Sequence, residues 1–153
     1  MPTTTAQDDD LLALDRQLCF ALAVTNRTVL TVYRPLLEPL GLTHPQYLVM
    51  LALWEQSPRS VRSIGEALVL DSPTMSPLLK RLEAMGLVTR RRSDVDERRL
   101  DVALTDAGLA LREEAKAIPP AVIDRLGVSI AELERLRDVL WGLNRAATAG
   151  APE

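Results

Sequence analysis

Cys19 is the single thiol in a chain of 153 residues, and it lies in the apolar run LCFALA near the N-terminus. With no second cysteine it cannot close an internal disulfide. Three uses remain: reaction of its own sulfur, a disulfide to another molecule or subunit, or service as a small buried hydrophobe. The reactive form is the thiolate, which peroxide oxidises and which nearby positive charge or hydrogen-bond donors favour. Arg16, about one helical turn before Cys19, would help, and Asp15 would oppose it. Tyr33 and Tyr47 are the only phenols and hence the only tyrosyl donors. The residues alone leave all three uses open.

Other reactive chemistry is thinly represented. His44 is the sole histidine, so a zinc or iron site would lack nitrogen and sulfur ligands, and neither a metal nor a cofactor is expected. A hydrolase is not expected either, because there is no second histidine, nucleophile elbow or glycine-rich loop. His44 reads as part of a turn into a helix, and Trp54 and Trp141 read as packing residues.

The second concentration of chemistry is cationic. The net charge of −3 argues at first against nucleic acid, but between Arg59 and Arg99 nine Lys and Arg face six Asp and Glu. A basic module inside an acidic body fits a DNA-binding insert. Within it, Ser72, Thr74 and Ser76 supply hydroxyl donors, with Lys80 and Arg81 one to two turns later. These suit base-edge and phosphate contacts. The bland alternative is a helix cap followed by solvated surface. Further on, Arg90, Arg91, Arg92 and Arg99 could neutralise phosphates, and Asp96 stands two residues from Arg98. That spacing lets the carboxylate hold the guanidinium extended, as a narrow minor groove requires.

The elements that position these groups follow from periodicity. Leu11, Leu14, Leu18, Leu22, Val29, Val32 and Leu36 mark one long amphipathic helix from Leu11, ending near Tyr33-Arg34-Pro35. Thr43 and Gln46 have capping-box spacing, with Pro45 in a first turn, so a second helix runs through QYLVMLALWEQ. Ser60 to Leu68 forms a short third helix. A turn ending in a cap at Ser72 leads to a fourth, Thr74 to Met85, closed by Gly86; Pro77 lies too deep for an ideal first turn, predicting an irregular or late start. LVTRRR from Leu87 and LDVAL from Leu100 flank the charged tip 93–99 as a hairpin. A fifth helix, capped by Thr105 and Asp106, reaches about Ile118, where Pro119-Pro120 kinks or ends it. A sixth follows Ser129. The resulting class is mainly α with a small β-hairpin: a winged helix-turn-helix at about 43–105, flanked by dimerisation helices at about 11–37 and 106–145, with flexible ends at 1–10 and 146–153. No run of about 18 apolar residues is present and the N-terminus lacks signal-peptide character, so no membrane partner and a cytoplasmic location are expected.

Several segments carry a family likeness. LCFAL around Cys19, YRPLLEPLGLTHPQYLVMLALWE from Tyr33 to Glu55, LDSPTMSPLLKRLEAMGLVTRRRS from Leu70 to Ser93, and DERR with the LT of Leu104-Thr105 closely resemble the organic-hydroperoxide regulators of the MarR family. The DxR wing and LT ending are general to that family. The cysteine setting and PQYLVMLALWE are specific to the peroxide-sensing branch. The resemblance implies a homodimeric repressor of an inverted-repeat operator in double-stranded DNA, released when organic hydroperoxides oxidise Cys19. It also implies that two tyrosines of the partner subunit hydrogen-bond the sulfur: Tyr33 matches one, and Ala23 stands where the second is often found. With no resolving cysteine, oxidised Cys19 is expected to pair with a low-molecular-weight thiol. Two other classes stay in view: a MarR-type repressor gated by a small phenolic ligand, with Cys19 structural, and a one-cysteine thiol peroxidase.

Overall fold

The computed structural model describes residues 11–150; the flexible end expected at 1–10 and the last three residues of the one expected at 146–153 lie outside the described residues. The order is α1 (Leu18–Leu37), α2 (His44–Glu55), β1 (Arg59–Ser60), α3 (Val61–Leu68), α4 (Ser72–Ala84), β2 (Val88–Arg92), β3 (Leu100–Leu104), α5 (Asp106–Ala115), α6 (Ile118–Leu126) and α7 (Ile130–Ala149). Short 3-10 turns at Leu14–Arg16 and Glu38–Leu40 flank α1. This is the expected winged helix-turn-helix.

Side-chain caps start most of the helices. Thr43 and Gln46 cap α2 reciprocally, with Thr43 N–H donating to Gln46 Oε1 at 2.9 Å and Gln46 N–H to Thr43 Oγ1 at 3.4 Å. Ser60, Thr105 and Ser129 accept a backbone N–H three residues on, opening α3, α5 and α7. The hairpin pairs Val88 with Leu104 and Arg92 with Leu100. β1 adds a third antiparallel strand on the other side of β3, pairing Arg59 with Val102. Two residues are too few for a periodicity signal, so this strand was not foreseen.

The core lies between α2, α3, α4 and the inner face of the sheet, around Val49, Met50, Leu53, Ile64, Met75, Leu79, Leu82, Val88 and Val102. Burying each such side chain contributes roughly 1.5–3 kcal/mol. α1 joins this core through Leu37, and its body packs along α6, which contributes Ile118 and Val122.

Five boundaries differ from the sequence expectation. α1 begins at Leu18 because Gln17 is extended (φ −82°, ψ 120°) and its side-chain amide donates to the carbonyls of Leu11 and Ala13 at 2.7 and 3.0 Å. It then runs through Pro35 to Leu37: the proline removes one N–H near the helix end, and burial of Leu37 outweighs that loss. α4 is capped by Asp71, whose carboxylate accepts the Thr74 N–H at 2.9 Å, so Ser72 is its first residue, Pro73 falls in the first turn, and the helix passes Pro77 without a break. The fifth helix ends at Ala115, short of the expected Ile118, so Pro119 and Pro120 do not kink it. They open a separate one, α6, where a missing N–H costs nothing. α7 continues to Ala149, past the expected flexible boundary at Ala146.

Candidate nucleic-acid interface and reactive thiol

α3 and α4 meet in a tight turn. The Leu70 N–H donates to the Gly65 carbonyl at 2.9 Å, and a Cβ on Gly65 would stand 2.8 Å from the Leu70 oxygen. Val69 between the helices adopts the left-handed conformation (φ 55°, ψ 45°), which a β-branched residue rarely tolerates. On α4, Met75, Leu79 and Leu82 face the core. Ser72, Thr74, Ser76, Lys80 and Arg81 are all exposed, so the five candidates from the sequence share the solvent side of one helix.

The wing is ordered by its own charges. Arg90 Nε meets Glu83 Oε2 at 2.6 Å, tying β2 to α4. Its guanidinium is therefore engaged within the fold, whereas Arg91 is exposed. Arg99 Nε meets Asp101 Oδ1 at 2.7 Å, and Arg92 donates to the Glu97 carbonyl at 3.0 Å. Asp96 does not hold the Arg98 guanidinium, contrary to the sequence reading. Its carboxylate accepts the Arg98 backbone N–H at 3.0 Å, because an aspartate two residues upstream is placed to close an Asx turn. The Arg99 N–H returns to the Asp96 carbonyl at 2.9 Å, and the Ser93 N–H to the Arg99 carbonyl at 2.8 Å.

These pieces enclose a cleft of about 510 Å³ whose walls include Arg62, Ser72, Asp96, Arg98 and Arg99. Start of α3, start of α4 and wing tip thus converge on one surface. Arg62 was missed from the sequence. It is exposed in the first turn of α3 and paired with Glu66 Oε1 at 2.9 Å, and nothing local signals its proximity to a wing more than thirty residues away.

Cys19 is the second residue of α1 and is exposed. Within the subunit the buried-hydrophobe reading therefore fails. Arg16 belongs to the preceding 3-10 turn, and the extended Gln17 breaks the one-turn spacing from Cys19 assumed for it. Tyr33 is half-buried, with its ring 5.0 Å from His44 in an edge contact and 6.1 Å from Tyr47. Burial raises the Tyr33 phenol above its usual range, keeping it a protonated donor at neutral pH. Burial also lowers the His44 pKa, favouring the neutral imidazole. Tyr47 completes the cluster by packing on Trp54 at 6.4 Å. Cys19 and Tyr33 share one helix but are fourteen residues apart, about 21 Å along the axis. They cannot touch within one subunit.

Two large apolar faces are left uncovered. Among residues of α1 only Leu37 is buried, and among the twenty of α7 none is. Leu136, Val139, Leu140, Trp141 and Leu143 of α7 and Leu18, Phe20, Leu22 and Val24 of α1 are exposed. A helix about 30 Å long draws most of its stability from packing. Among the described residues no helix is long and apolar enough to cross a membrane, and no cluster of potential metal ligands occurs.

Comparison with known proteins agrees with this geometry. The model of the MarR family matches residues 42–100, the segment from α2 to the start of β3. Over 134 residues the chain is 42% identical to the organic hydroperoxide resistance transcriptional regulator of Bacillus subtilis, covering 88% of this chain and 91% of that one. The solved structure of reduced AbfR bound to DNA superposes with a TM-score of 0.74 at 36% identity, over 89% of this chain and 94% of that one; AbfR is a Staphylococcus epidermidis protein. Overoxidised AbfR bound to DNA gives 0.73 at 34% identity, over 91% and 98%. The chain belongs to the MarR family and is a DNA-binding transcriptional regulator.

Proposed function

We propose that the protein is a homodimeric repressor that senses organic hydroperoxides through Cys19 and then releases an inverted-repeat operator. The observation that carries this reading is the placement of an exposed Cys19 in the uncovered N-terminal part of α1, the helix that also bears the half-buried Tyr33. At 100° per residue the two lie within about 40° of the same side of α1. Two α1 helices crossing antiparallel about a twofold axis near Asn26 would set Cys19 of one subunit beside Tyr33 of the other, covering the apolar faces of α1 and α7 in the same step. The name of the B. subtilis relative supports the signal, and the DNA-bound AbfR structures support the partner.

In this mechanism the Cys19 thiolate attacks the terminal peroxide oxygen. The O–O bond breaks, an alcohol leaves, and the sulfur becomes a sulfenic acid. A low-molecular-weight thiol then displaces water to form a mixed disulfide. AbfR was solved on DNA in an overoxidised form, so oxygen on sulfur alone is a weak candidate for the releasing species. The bulk of the adduct at the α1–α1 contact is the stronger one: it displaces Tyr33 and changes the spacing of the two α4 helices. On the DNA side, α4 presents Ser72, Thr74, Ser76, Lys80 and Arg81 to the major groove, while Arg91, Arg98 and Arg99 of the wing meet phosphate and the minor groove. Arg90 and Asp96 serve by ordering the wing.

A second reading rests on a cleft of about 310 Å³ lined by Tyr47, Leu51 and Trp54 together with Glu55, Arg112 and Lys116. Its size and aromatic lining suit a small phenolic ligand, and a ligand-gated response would not need Cys19. The test is intact-mass analysis of DNA-bound and released fractions after stoichiometric tert-butyl hydroperoxide, with and without cysteine. The thiol adduct at Cys19 should be confined to the released fraction. Release of unmodified protein would defeat the proposal.

A further inference from the structure

The solvent face of α4 carries two exposed prolines one turn apart, Pro73 and Pro77, that the fold does not require. Pro73 sits in the first turn, where it is harmless. Pro77 lies inside the helix, where it removes the N–H that would bond the Pro73 carbonyl and crowds that carbonyl with its ring. Neither ring supports the core, which α4 meets through Met75, Leu79 and Leu82 on the opposite side. At 100° per residue the prolines lie within about 40° of each other at the centre of the exposed face. Ser76 and Lys80 flank them on one side, Thr74 and Arg81 on the other.

A rigid apolar ring with no donor, set in the middle of hydroxyls and cations, can make no hydrogen bond to a base edge. The apolar group that base pairs offer in the major groove is the thymine C5-methyl. We infer that Pro73 and Pro77 are specificity residues that read thymine methyls in each half-site. Their four-residue spacing, about 6 Å along the helix, spans roughly two base steps of 3.4 Å. The operator therefore carries, in each half-site, two thymines about two steps apart, with hydrogen-bonding contacts from the flanking side chains on either side. This inference rests on α4 entering the major groove.

The test uses a duplex selected by the wild-type protein from a randomised pool, in which each thymine is replaced singly by deoxyuridine, which lacks only the methyl. Uracil at two positions per half-site should weaken binding about fourfold each, or about 0.8 kcal/mol, and about sixteenfold when placed symmetrically in both half-sites. Pro77→Ala should bind the thymine duplex at the weakened level and lose nothing more on uracil at one of those positions, with Pro73→Ala doing the same at the other. Pro77→Ala should melt no lower than wild type, and Pro73→Ala, which gives up a preorganised first-turn proline, within a few degrees of it. Uniform tolerance of uracil, or equal losses by the variants on thymine and uracil duplexes, would overturn the inference by showing that the prolines act through helix shape. If wild type enriches no sequence from the pool, the placement of α4 fails and the inference with it.

Discussion

Asp96→Ala should weaken operator binding even though it removes a negative charge from the surface that meets phosphate. Two effects oppose each other. A unit charge about 10 Å from a phosphate in water is repelled by about 0.4 kcal/mol, which screening over a Debye length of about 8 Å reduces to about 0.1 kcal/mol. Two or three such phosphates bring relief of about 0.3 kcal/mol. Against this, the Asp96 carboxylate accepts the Arg98 N–H at 3.0 Å, and the turn it closes carries the return bond from the Arg99 N–H at 2.9 Å. An exposed turn bond of this kind contributes about 0.5–1 kcal/mol to ordering the tip. With two wings per dimer, the net loss is about 0.5–1.5 kcal/mol, or roughly two- to tenfold in affinity. Asp96→Asn separates the two effects, since its side-chain oxygen keeps the turn while the charge is gone; it should bind within about twofold of wild type or slightly tighter. Anisotropy titrations of both variants on one labelled duplex at fixed salt decide the matter. If the alanine variant binds as tightly as the asparagine variant, Asp96 does not order the wing.

Val69→Gly should raise stability to urea by about 0.5–1 kcal/mol, because it relieves a β-branched residue of the left-handed conformation at some cost in chain entropy; no gain would contradict that backbone geometry. Gly108→Ala should destabilise the fold by several kcal/mol, of order 3, because a Cβ there would stand 2.1 Å from the Leu87 oxygen; Trp54, whose indole donates to the Gly108 carbonyl at 2.9 Å, offers a fluorescence reading of the disturbance. Burial lowers the His44 pKa in the folded chain, so the unfolded chain binds its proton more readily. The His44 contribution is then complete above the unfolded value near 6.5 and is lost as pH falls toward the folded pKa. His44→Gln should flatten stability between pH 7 and 5, and an unchanged slope in urea titrations would remove His44 as its source.

Caps and turns made most of the fold legible. The Thr43–Gln46 capping box, the glycine closing α4 and the alternating strands around a charged tip are local signals, and each element they mark is present. What escaped was set by distance. The Arg59–Val102 pairing that makes β1 joins residues 43 apart in a two-residue strand with no pattern of its own. The Gln17 side chain broke a helix that leucine spacing alone would extend to Leu11. Prolines misled in both directions: Pro35 and Pro77 are accommodated inside helices, and Pro119-Pro120 begins one. At the site, the side chains of α4 followed from helical spacing. The role of Asp96 did not, because its choice between a guanidinium and a backbone N–H is made by loop geometry. Arg62 and the ring cluster of Tyr33, His44 and Tyr47 depend on tertiary contacts that no short window contains.

In the proposed mechanism hydroperoxide acts on DNA binding through the Cys19 sulfur. This is tested most directly by titrating preformed operator complexes of wild type and Cys19→Ser with tert-butyl hydroperoxide in the presence of cysteine. Serine preserves size and cannot be oxidised, so both proteins should bind DNA alike beforehand. About one equivalent per subunit should release the wild-type protein, while the serine variant should stay bound throughout. Release of Cys19→Ser at the same dose, or a wild-type complex that remains on DNA with Cys19 carrying the thiol adduct, would contradict it.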